Sequence, residues 1–238
     1  MIYLYSGTPG SGKSLHTARV IFYALKSGFP VIANFSINLE RIKHRRSEFI
    51  LKDNFDITPD FLIDFSKKYF QGKRVKEGKL ILIIDECQLM FNAREWNIKG
   101  RADWLSFFTQ HRKYGYDIIL VAQFDRMVDR QIRSLIEYEF IHRKISNFGL
   151  KGKILSLCAG GNLFISVKVW YPMKEKVGSE FFKARKRYYS LYDTFNSFSA
   201  VSEEGGQGAP PTSETVESDL SDSETLERAL ALLDNSNT

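Results

Sequence analysis

The stretch GTPGSGKS, residues 7–14, matches the phosphate-binding loop pattern G-x-x-x-x-G-K-S. Glycines in such a loop let the backbone turn with positive φ, so that its amide groups can face an anion at the start of a helix. In this pattern Lys13 reaches the β and γ phosphates of a nucleotide, and the Ser14 hydroxyl ligates Mg²⁺. The residues expected to contact the nucleotide are Gly7, Pro9, Gly10, Ser11, Gly12, Lys13, Ser14 and Leu15.

The sequence on both sides of the loop favours this interpretation over a chance glycine-rich turn. Residues 2–6, IYLYS, form an apolar and aromatic run that is typical of a strand. The run KSLHTARVIFYALKSG begins at Lys13, is typical of a helix and ends at Gly28. A loop between a strand and a helix is the setting that the motif requires.

Further apolar runs alternate with helical stretches along the chain. Strands are predicted at PVIANF (30–35), LILIIDE (80–86), DIILVAQF (117–124) and YEFIH (138–142). Helices are predicted over 58–72, 102–114 and 127–136, the first with Thr58 as its N-cap, Pro59 at its first position and Gly72 at its end. Strands that are apolar on both faces and alternate with helices indicate a parallel sheet covered on both sides. The predicted fold class is therefore α/β, a P-loop NTPase sheet sandwiched by helices.

Two features are expected outside the parallel sheet. KILSLCA (153–159) and LFISVKVWY (163–171) are separated by two glycines and an asparagine, which predicts an antiparallel hairpin added at the sheet edge. Beyond about residue 200 the composition shifts to Ser, Gly, Glu, Pro and Thr, which predicts a disordered tail. The predicted domains are thus an ATPase domain over 1–200 and an acidic flexible tail over 201–238.

Near the end of the tail, SDSETLERALALL predicts a short amphipathic helix. Ser221 and Glu224 fit a capping box, and Leu226, Leu230 and Leu233 fall on one helical face. So short a helix is marginal alone, so a docking peptide and a frayed tail without a partner are both consistent with this pattern.

The charge of the chain is divided unequally. Residues 201–238 carry nine acidic residues and one arginine, a net charge of −8, and residues 1–200 carry 33 basic and 19 acidic residues, a net charge of +14. A body of this charge attracts polyanions, either nucleic acid or an anionic membrane surface. Basic clusters at 41–46, 142–144 and 183–187 could follow a phosphate backbone, although a solvated basic surface is the commoner explanation.

Composition also limits where the chain is expected to work. No run reaches the 18 or more apolar residues of a membrane span, and the first predicted strand leaves no room for a signal peptide. Cys87 and Cys158 lack metal-site spacing and are expected to be reduced thiols in a cytoplasm.

The apolar strand at 80–84 is followed directly by two carboxylates. Asp85 is expected beside the phosphate loop, where it holds Mg²⁺ together with Ser14. Glu86 points differently and is the expected catalytic base that orients and deprotonates the attacking water. The alternative is a strand that simply stops at charged residues.

Three further positions are candidates for catalysis. Gln123, at the end of the next strand, is expected to touch the γ phosphate or the water, although a buried amide that caps the strand is the alternative. Arg112, Arg130 and Arg133 are candidates for an arginine inserted into a neighbouring subunit's site, and Arg133 is preferred because its helix follows the Gln123 strand.

The water-activating glutamate favours hydrolysis over phosphoryl transfer. A transferase must exclude water from the γ phosphate, so such a carboxylate would be a liability there. The sequence lacks the guanine-recognising NKxD motif, which favours ATP, and the expected cofactors are ATP and Mg²⁺.

With these motifs in place, residues 1–196 resemble the zonular occludens toxin (Zot) family, which includes the filamentous-phage assembly ATPases. The resemblance rests on GTPGSGKS, LILIIDECQ, FFTQHRKYGYDIILVAQ, the spacing from Asp129 to Leu135, and the closing YYSLYDTF. It implies a RecA-like P-loop ATPase of the additional-strand, catalytic-glutamate class. Members are oligomeric, which implies a ring, and power the assembly and export of a virion around single-stranded DNA at the host inner membrane.

The resemblance also implies phage assembly or coat proteins as partners. Family members carry a transmembrane helix and an outer domain after the ATPase domain, and neither is evident in this sequence. We therefore expect either a membrane partner that binds the C-terminal tail or a soluble motor. Two alternatives stay open, a DNA-translocating or helicase-like motor in replication and a nucleotide-gated assembly scaffold.

Overall fold

The computed structural model describes residues 1–93, 100–158 and 162–192, and its strands form one eight-stranded sheet. The strands are β1 (Ile2–Ser6), β2 (Val31–Ala33), β3 (Phe49–Leu51), β4 (Leu80–Ile84), β5 (Tyr116–Val121), β6 (Tyr138–Lys144), β7 (Leu163–Trp170) and β8 (Glu175–Lys183). Their order across the sheet is β3-β2-β4-β5-β1-β6-β7-β8. The strands β1 to β6 run parallel, and β7 and β8 continue the sheet as antiparallel neighbours.

Six α-helices connect or flank these strands. They are α1 (Lys13–Ser27), α2 (Pro59–Tyr69), α3 (Arg101–Gln110), α4 (Arg130–Arg133), α5 (Gly149–Cys158) and α6 (Lys186–Tyr189). The predicted ends of α1 and the start of α2 are confirmed. Gly28 takes the left-handed conformation after α1 and donates its amide to the Ala24 carbonyl, and Thr58 Oγ1 accepts from the Phe61 amide at 3.2 Å.

Alternate residues of the central strands pack into two separate hydrophobic clusters. Leu82 of β4 lies in a cluster that includes Leu62 of α2 and Phe107 of α3. Ile83, the next residue, lies in a second cluster that includes Ile21 of α1. Because successive strand residues point to opposite faces, the sheet is covered on both sides, as predicted for a parallel sheet.

The predicted edge hairpin is present, but one of its strands was misplaced. Residues 149–158 form helix α5, and the hairpin consists of β7 and β8, joined by a turn with Lys174 at φ 56°. A short apolar run such as KILSLC does not distinguish a helix from a strand by its periodicity alone. The actual second strand, EKVGSEFFK, is mostly exposed and polar, so it carries little of the apolar signal of a buried strand.

Smaller differences concern the lengths of elements. The helix predicted over 102–114 is α3 followed by a 3₁₀ turn at His111–Tyr114, and the helix predicted over 127–136 is the four-residue α4. Helix α2 ends at Tyr69 rather than at Gly72. The three-residue strand β3 was not predicted, because so short a segment carries almost no periodicity.

Some predictions fall on residues that the structure does not describe. The flexible tail over 201–238, its amphipathic helix, the domain boundary at 200 and the end of the LYDTF motif lie there. Among the described residues, no helix is long and apolar enough to cross a membrane.

Gly152 gives a test of how α5 packs. A Cβ at this position would lie 2.1 Å from the Ile145 carbonyl oxygen and 2.9 Å from the Phe148 Cβ. Glycine-to-alanine changes normally favour a helix by about 1 kcal/mol. Here we expect Gly152→Ala to lower the free energy of unfolding by about 1–3 kcal/mol, because the added methyl overpacks the contact. Urea denaturation measures the change.

Gly178 in β8 is the matched control, since a Cβ there meets no atom within 4 Å. Gly178→Ala should leave the stability unchanged or raised. Equal effects of the two substitutions would show that α5 does not pack through Gly152.

Candidate nucleotide site

The loop at residues 7–14 needs glycine for both conformation and space. Gly7, Gly10 and Gly12 have φ values of 140°, 73° and 98°, which side chains rarely adopt. A Cβ at Gly7 would lie 2.5 Å from the His142 carbonyl oxygen, and a Cβ at Gly12 would lie 2.7 Å from Phe164 Cδ1. The loop therefore rests closely against β6 and β7.

Two buried histidines support the loop from behind. His142 Nδ1 lies 3.1 Å from the Ser6 carbonyl oxygen, and its Nε2 lies 2.8 Å from His16 Nδ1. Burial lowers the pKa of His16 to about 4 and that of His142 to about 3, so both rings are neutral near pH 7. His16 also stacks on Tyr5, with ring centroids 4.8 Å apart. These contacts fix the junction between β1, α1 and β6.

Lys13 folds back over the loop that precedes it. Its Nζ donates to the Gly7 carbonyl at 2.6 Å and to the Thr8 carbonyl at 3.3 Å. Burial lowers the pKa of Lys13, and the negative charges of Glu86 and Asp85 oppose that shift. No carboxylate forms an ion pair with Lys13 in the described part of the chain, so its ammonium is available to an anion held by the loop.

Ser11 adds an unsatisfied polar group to the loop. It is 2% exposed, and its Oγ has no hydrogen-bond partner among the described residues. A buried hydroxyl without a partner is costly, and such groups concentrate at functional sites. Together with the left-handed glycines, this hydroxyl fits a bound phosphate.

Asp85 is held in place through its backbone by Asn34, at the end of β2. Asn34 Oδ1 accepts from the Asp85 amide at 2.7 Å, and Asn34 Nδ2 donates to the Asp85 carbonyl at 2.8 Å. Asn34 Nδ2 also donates to Asn54 Oδ1 at 2.8 Å. Sequence analysis did not identify Asn34, although a polar residue that ends the apolar run PVIAN is a usable signal.

Glu86 occupies a strained backbone position. Its φ and ψ are both 46°, a left-handed conformation that is uncommon outside glycine, asparagine and aspartate. The turn sends the chain from β4 into the 3₁₀ turn Cys87–Leu89, and the Gln88 side-chain amide donates to Glu86 Oε2. Such conformations cost about 1–3 kcal/mol and cluster at active sites.

Tyr192 contacts one of the two residues predicted to hold the metal. Its hydroxyl donates to Asp85 Oδ2, and the Ser14 side chain partly opposes the rise in the pKa of Tyr192. Its ring packs against Phe35, with centroids 5.0 Å apart. The predicted site residues did not include Tyr192, and its only sequence signal was its place in the closing YYSLYDTF motif.

The charged form of the Asp85 carboxyl is unfavourable in its buried position. Burial raises the pKa of Asp85, and hydrogen bonds from Tyr192 and from the Glu86 amide, the latter at 3.0 Å, partly offset that shift. Burial and the neighbouring Asp85 charge likewise raise the pKa of Tyr192. A cation between Ser14 and Asp85 would relieve this cost, and a hydroxyl and a carboxylate are the oxygen ligands that Mg²⁺ prefers. The residues present therefore fit a magnesium ion.

The other predicted positions differ in how closely the structure ties them to the loop. Gln123 follows β5 and accepts from the Gly7 amide through its backbone carbonyl at 3.0 Å. Arg133 donates to the Asp125 carbonyl at 3.5 Å, in the segment between β5 and α4. Arg112 precedes β5 at the opposite edge of the sheet and pairs with Glu137 at 2.6 Å, so it lies away from this site. Pro9, Gly10 and Leu15 lie in the loop and at the start of α1, as the motif requires.

This combination of fold and loop defines a class of protein. A mostly parallel sheet carries a glycine-rich loop between β1 and α1, and two carboxylates follow the buried strand β4, which β5 separates from β1. That is the P-loop NTPase fold.

The chain belongs to the zonular occludens toxin (Zot) family, whose sequence profile matches residues 1–197. The N-terminal domain of zonular occludens toxin from Neisseria meningitidis has a similar structure, with a TM-score of 0.51 and 20% identity. That similarity covers 81% of this chain and 98% of the toxin domain.

Two phage proteins are similar in sequence. The gene 1 protein of Enterobacteria phage fd is 26% identical over 217 residues, which are 86% of this chain and 62% of the fd protein. ORF301 of Pseudomonas phage Pf3, which is named as an assembly protein, is 29% identical over 140 residues, 57% of this chain and 40% of the relative. The chain thus spans less than two thirds of the length of these relatives.

Removing the Tyr192 hydroxyl tests its hydrogen bond to Asp85. We expect Tyr192→Phe to lower the free energy of unfolding by about 1–2 kcal/mol without nucleotide, because Asp85 loses a hydrogen bond in a buried position. Chemical denaturation measures the loss, and Tyr189→Phe, at a residue that is 72% exposed, is the control. A Tyr192→Phe protein as stable as wild type would contradict this hydrogen bond.

Proposed function

We propose that this chain is an ATP hydrolase that powers the assembly and export of a filamentous phage virion at the host inner membrane. One observation carries the hydrolase part of the proposal. The phosphate loop and the Asp85–Glu86 pair lie at one edge of the sheet, where the charges of both carboxylates act on the pKa of Lys13.

Each group has a distinct part in nucleotide binding. The amides of the loop and the Lys13 ammonium would hold the β and γ phosphates, with Lys13 exchanging its bonds to the Gly7 and Thr8 carbonyls for bonds to phosphate oxygens. Ser14 and Asp85 would hold Mg²⁺, which neutralises phosphate charge when bound. Pro9, Ser11 and Leu15 complete the proposed nucleotide contacts.

Glu86 is proposed as the general base. Its left-handed backbone sets it apart from the strand that ends before Asp85, and the proposed roles are that Asp85 holds the metal while Glu86 accepts a proton from the attacking water. The Gln88 amide holds one Glu86 oxygen and leaves the other for that water. Gln123, whose carbonyl binds the Gly7 amide, is proposed to report the state of the γ phosphate to β5.

Arg133 is proposed to act in a neighbouring subunit of a homo-oligomeric ring. An arginine supplied in trans stabilises the charge of the transition state. Its position on α4, directly after the segment that follows Gln123, would couple it to that residue.

Family membership supports the phage-assembly part of the proposal. The similar proteins include a gene 1 protein of a phage and a protein named for assembly. Phage assembly or coat proteins and single-stranded DNA are the proposed partners, and the net charge of +14 over residues 1–200 suits an anionic partner. The proposed location is the cytoplasmic face of the host inner membrane, with the tail over 201–238 binding a membrane partner.

Substitution of the catalytic groups tests hydrolysis. Lys13→Ala should abolish nucleotide binding or turnover, because it removes the ammonium proposed to hold the β and γ phosphates. Glu86→Gln should lower ATP turnover by about 10²–10⁴-fold and keep ATP bound, because only the base is lost. Phosphate release and retention of radiolabelled ATP measure the two effects.

The exposed Glu40 supplies a matched control, and Glu40→Gln should behave as wild type. Wild-type turnover by the Glu86→Gln protein would remove Glu86 as the base. Tight ATP binding and ATP-dependent oligomerisation with almost no turnover in the wild type would instead favour a nucleotide-gated scaffold. Strong stimulation of turnover by single-stranded DNA, lost at high salt, would favour a DNA-translocating motor.

A mixing experiment tests whether Arg133 acts in trans. Arg133→Ala should lower turnover by about 10³–10⁵-fold. Mixed with the Lys13→Ala protein, it should recover part of that turnover, since the Lys13→Ala subunits still supply Arg133 to intact sites. Arg112→Ala, at the opposite sheet edge, should retain turnover. Failure of the mixture to recover, in rings shown to contain both variants, would exclude Arg133 as the trans group.

A further inference from the structure

Helix α5 contacts the body of the protein through small residues. Gly152 lies against the Ile145 carbonyl, and Ser156, one turn later, is 7% exposed. A helix at the surface of a domain normally buries its large apolar side chains.

Three large apolar residues of α5 are exposed. Leu150, Ile154 and Leu157 are 75%, 54% and 79% exposed. At the spacing of i, i+4 and i+7 they fall within about 60° of the helix circumference. We call these three residues the α5 apolar face. Exposed apolar residues scattered singly need no explanation, but a continuous face on one helix indicates an interaction surface.

Positive charge flanks this face. Lys151 and Lys153 are exposed and fall on opposite sides of it. The sequence from Phe140 to Lys174 contains six Lys or Arg residues and no Asp or Glu. The α5 apolar face is thus flanked by two lysines and lies in a stretch of sequence without acidic residues.

We propose that the α5 apolar face docks on the surface of a bilayer that contains anionic lipids. Apolar residues flanked by lysines are the pattern of a helix that lies in the membrane interface, where the side chains of Leu and Ile enter the acyl boundary and the lysines meet lipid phosphates. Helix α5 is too short to cross the membrane, so it lies on one leaflet.

Charge favours the bilayer over a second copy of the chain as the occupant. Two copies that meet through α5 would bring four lysines together within bodies of like charge, which opposes association. An anionic leaflet offers its acyl boundary to the apolar side chains and its phosphates to the lysines. The inference rests on the membrane location within the proposed function and not on ATP hydrolysis.

Vesicle binding of the full chain, without nucleotide, tests the proposal. The wild-type protein should sediment with vesicles of phosphatidylglycerol and phosphatidylcholine, should bind less at high salt, and should not bind vesicles of phosphatidylcholine alone. The triple change Leu150→Ser, Ile154→Ser and Leu157→Ser should weaken binding by about tenfold or more. Lys151→Gln with Lys153→Gln should weaken binding by about fivefold per lysine.

Two controls make the outcome specific to α5. Phe55→Ser with Val177→Ser removes two other exposed apolar side chains, which are 96% and 56% exposed, and should bind as wild type. Circular dichroism and thermal unfolding should show that the triple variant folds, because its changes are on the surface. The Lys13→Ala protein should bind vesicles as wild type does, which separates this inference from the ATPase.

Three results would overturn the proposal. One is no binding of the wild type to anionic vesicles. The second is binding that the triple change leaves intact. The third is an oligomer that the triple change converts to monomers while no variant binds vesicles, which would make α5 a contact between copies. If the wild type binds vesicles but does not hydrolyse ATP, the result contradicts the proposed hydrolase activity and does not contradict the proposed docking surface.

Discussion

Parallel pairing of β1 with β5 and of β5 with β4 is the constraint on which the site depends. It brings the carboxyl ends of three strands to the same edge of the sheet, so that the loop after β1, the carboxylates after β4 and Gln123 after β5 become neighbours. The bond from the Gly7 amide to the Gln123 carbonyl ties two of these ends together. The close approach of Gly7 to His142 adds β6 to the same junction, and a side chain at Gly7 would prevent it.

Several groups at that edge destabilise the protein when no ligand is bound. Because burial holds the pKa of Asp85 above its ordinary value, its ionised form costs free energy in the fold. That cost is absent while Asp85 is protonated in both the folded and unfolded states, and it grows as the pH rises through the folded-state pKa. Glu86 adds backbone strain, and Ser11 adds an unsatisfied hydroxyl. A bound phosphate and cation would satisfy these groups, so the strain and burial are consistent with a binding function.

Patterns of adjacent residues predicted much of the fold. They did not predict contacts between residues that are far apart in the sequence. The phosphate loop, the Gly28 helix end and the Thr58 cap each follow from a few adjacent residues. Asn34 and Tyr192 contact Asp85 from 51 and 107 residues away, so the local patterns that contain them could not show that they meet Asp85. Residues 153–158 were assigned to a strand because their apolar run suits one, but they belong to helix α5. The packing of Gly152 against the Ile145 carbonyl, which needs the tertiary structure, supports the helix instead.

The central claim is that Ser14 and Asp85 act together on one magnesium–nucleotide complex. A double-mutant cycle on ATP affinity, with Ser14→Ala and Asp85→Asn measured singly and together in the presence and absence of Mg²⁺, tests this most directly. The account predicts a coupling free energy of about 1–3 kcal/mol that requires Mg²⁺. Additive effects, or the same coupling without Mg²⁺, would contradict it.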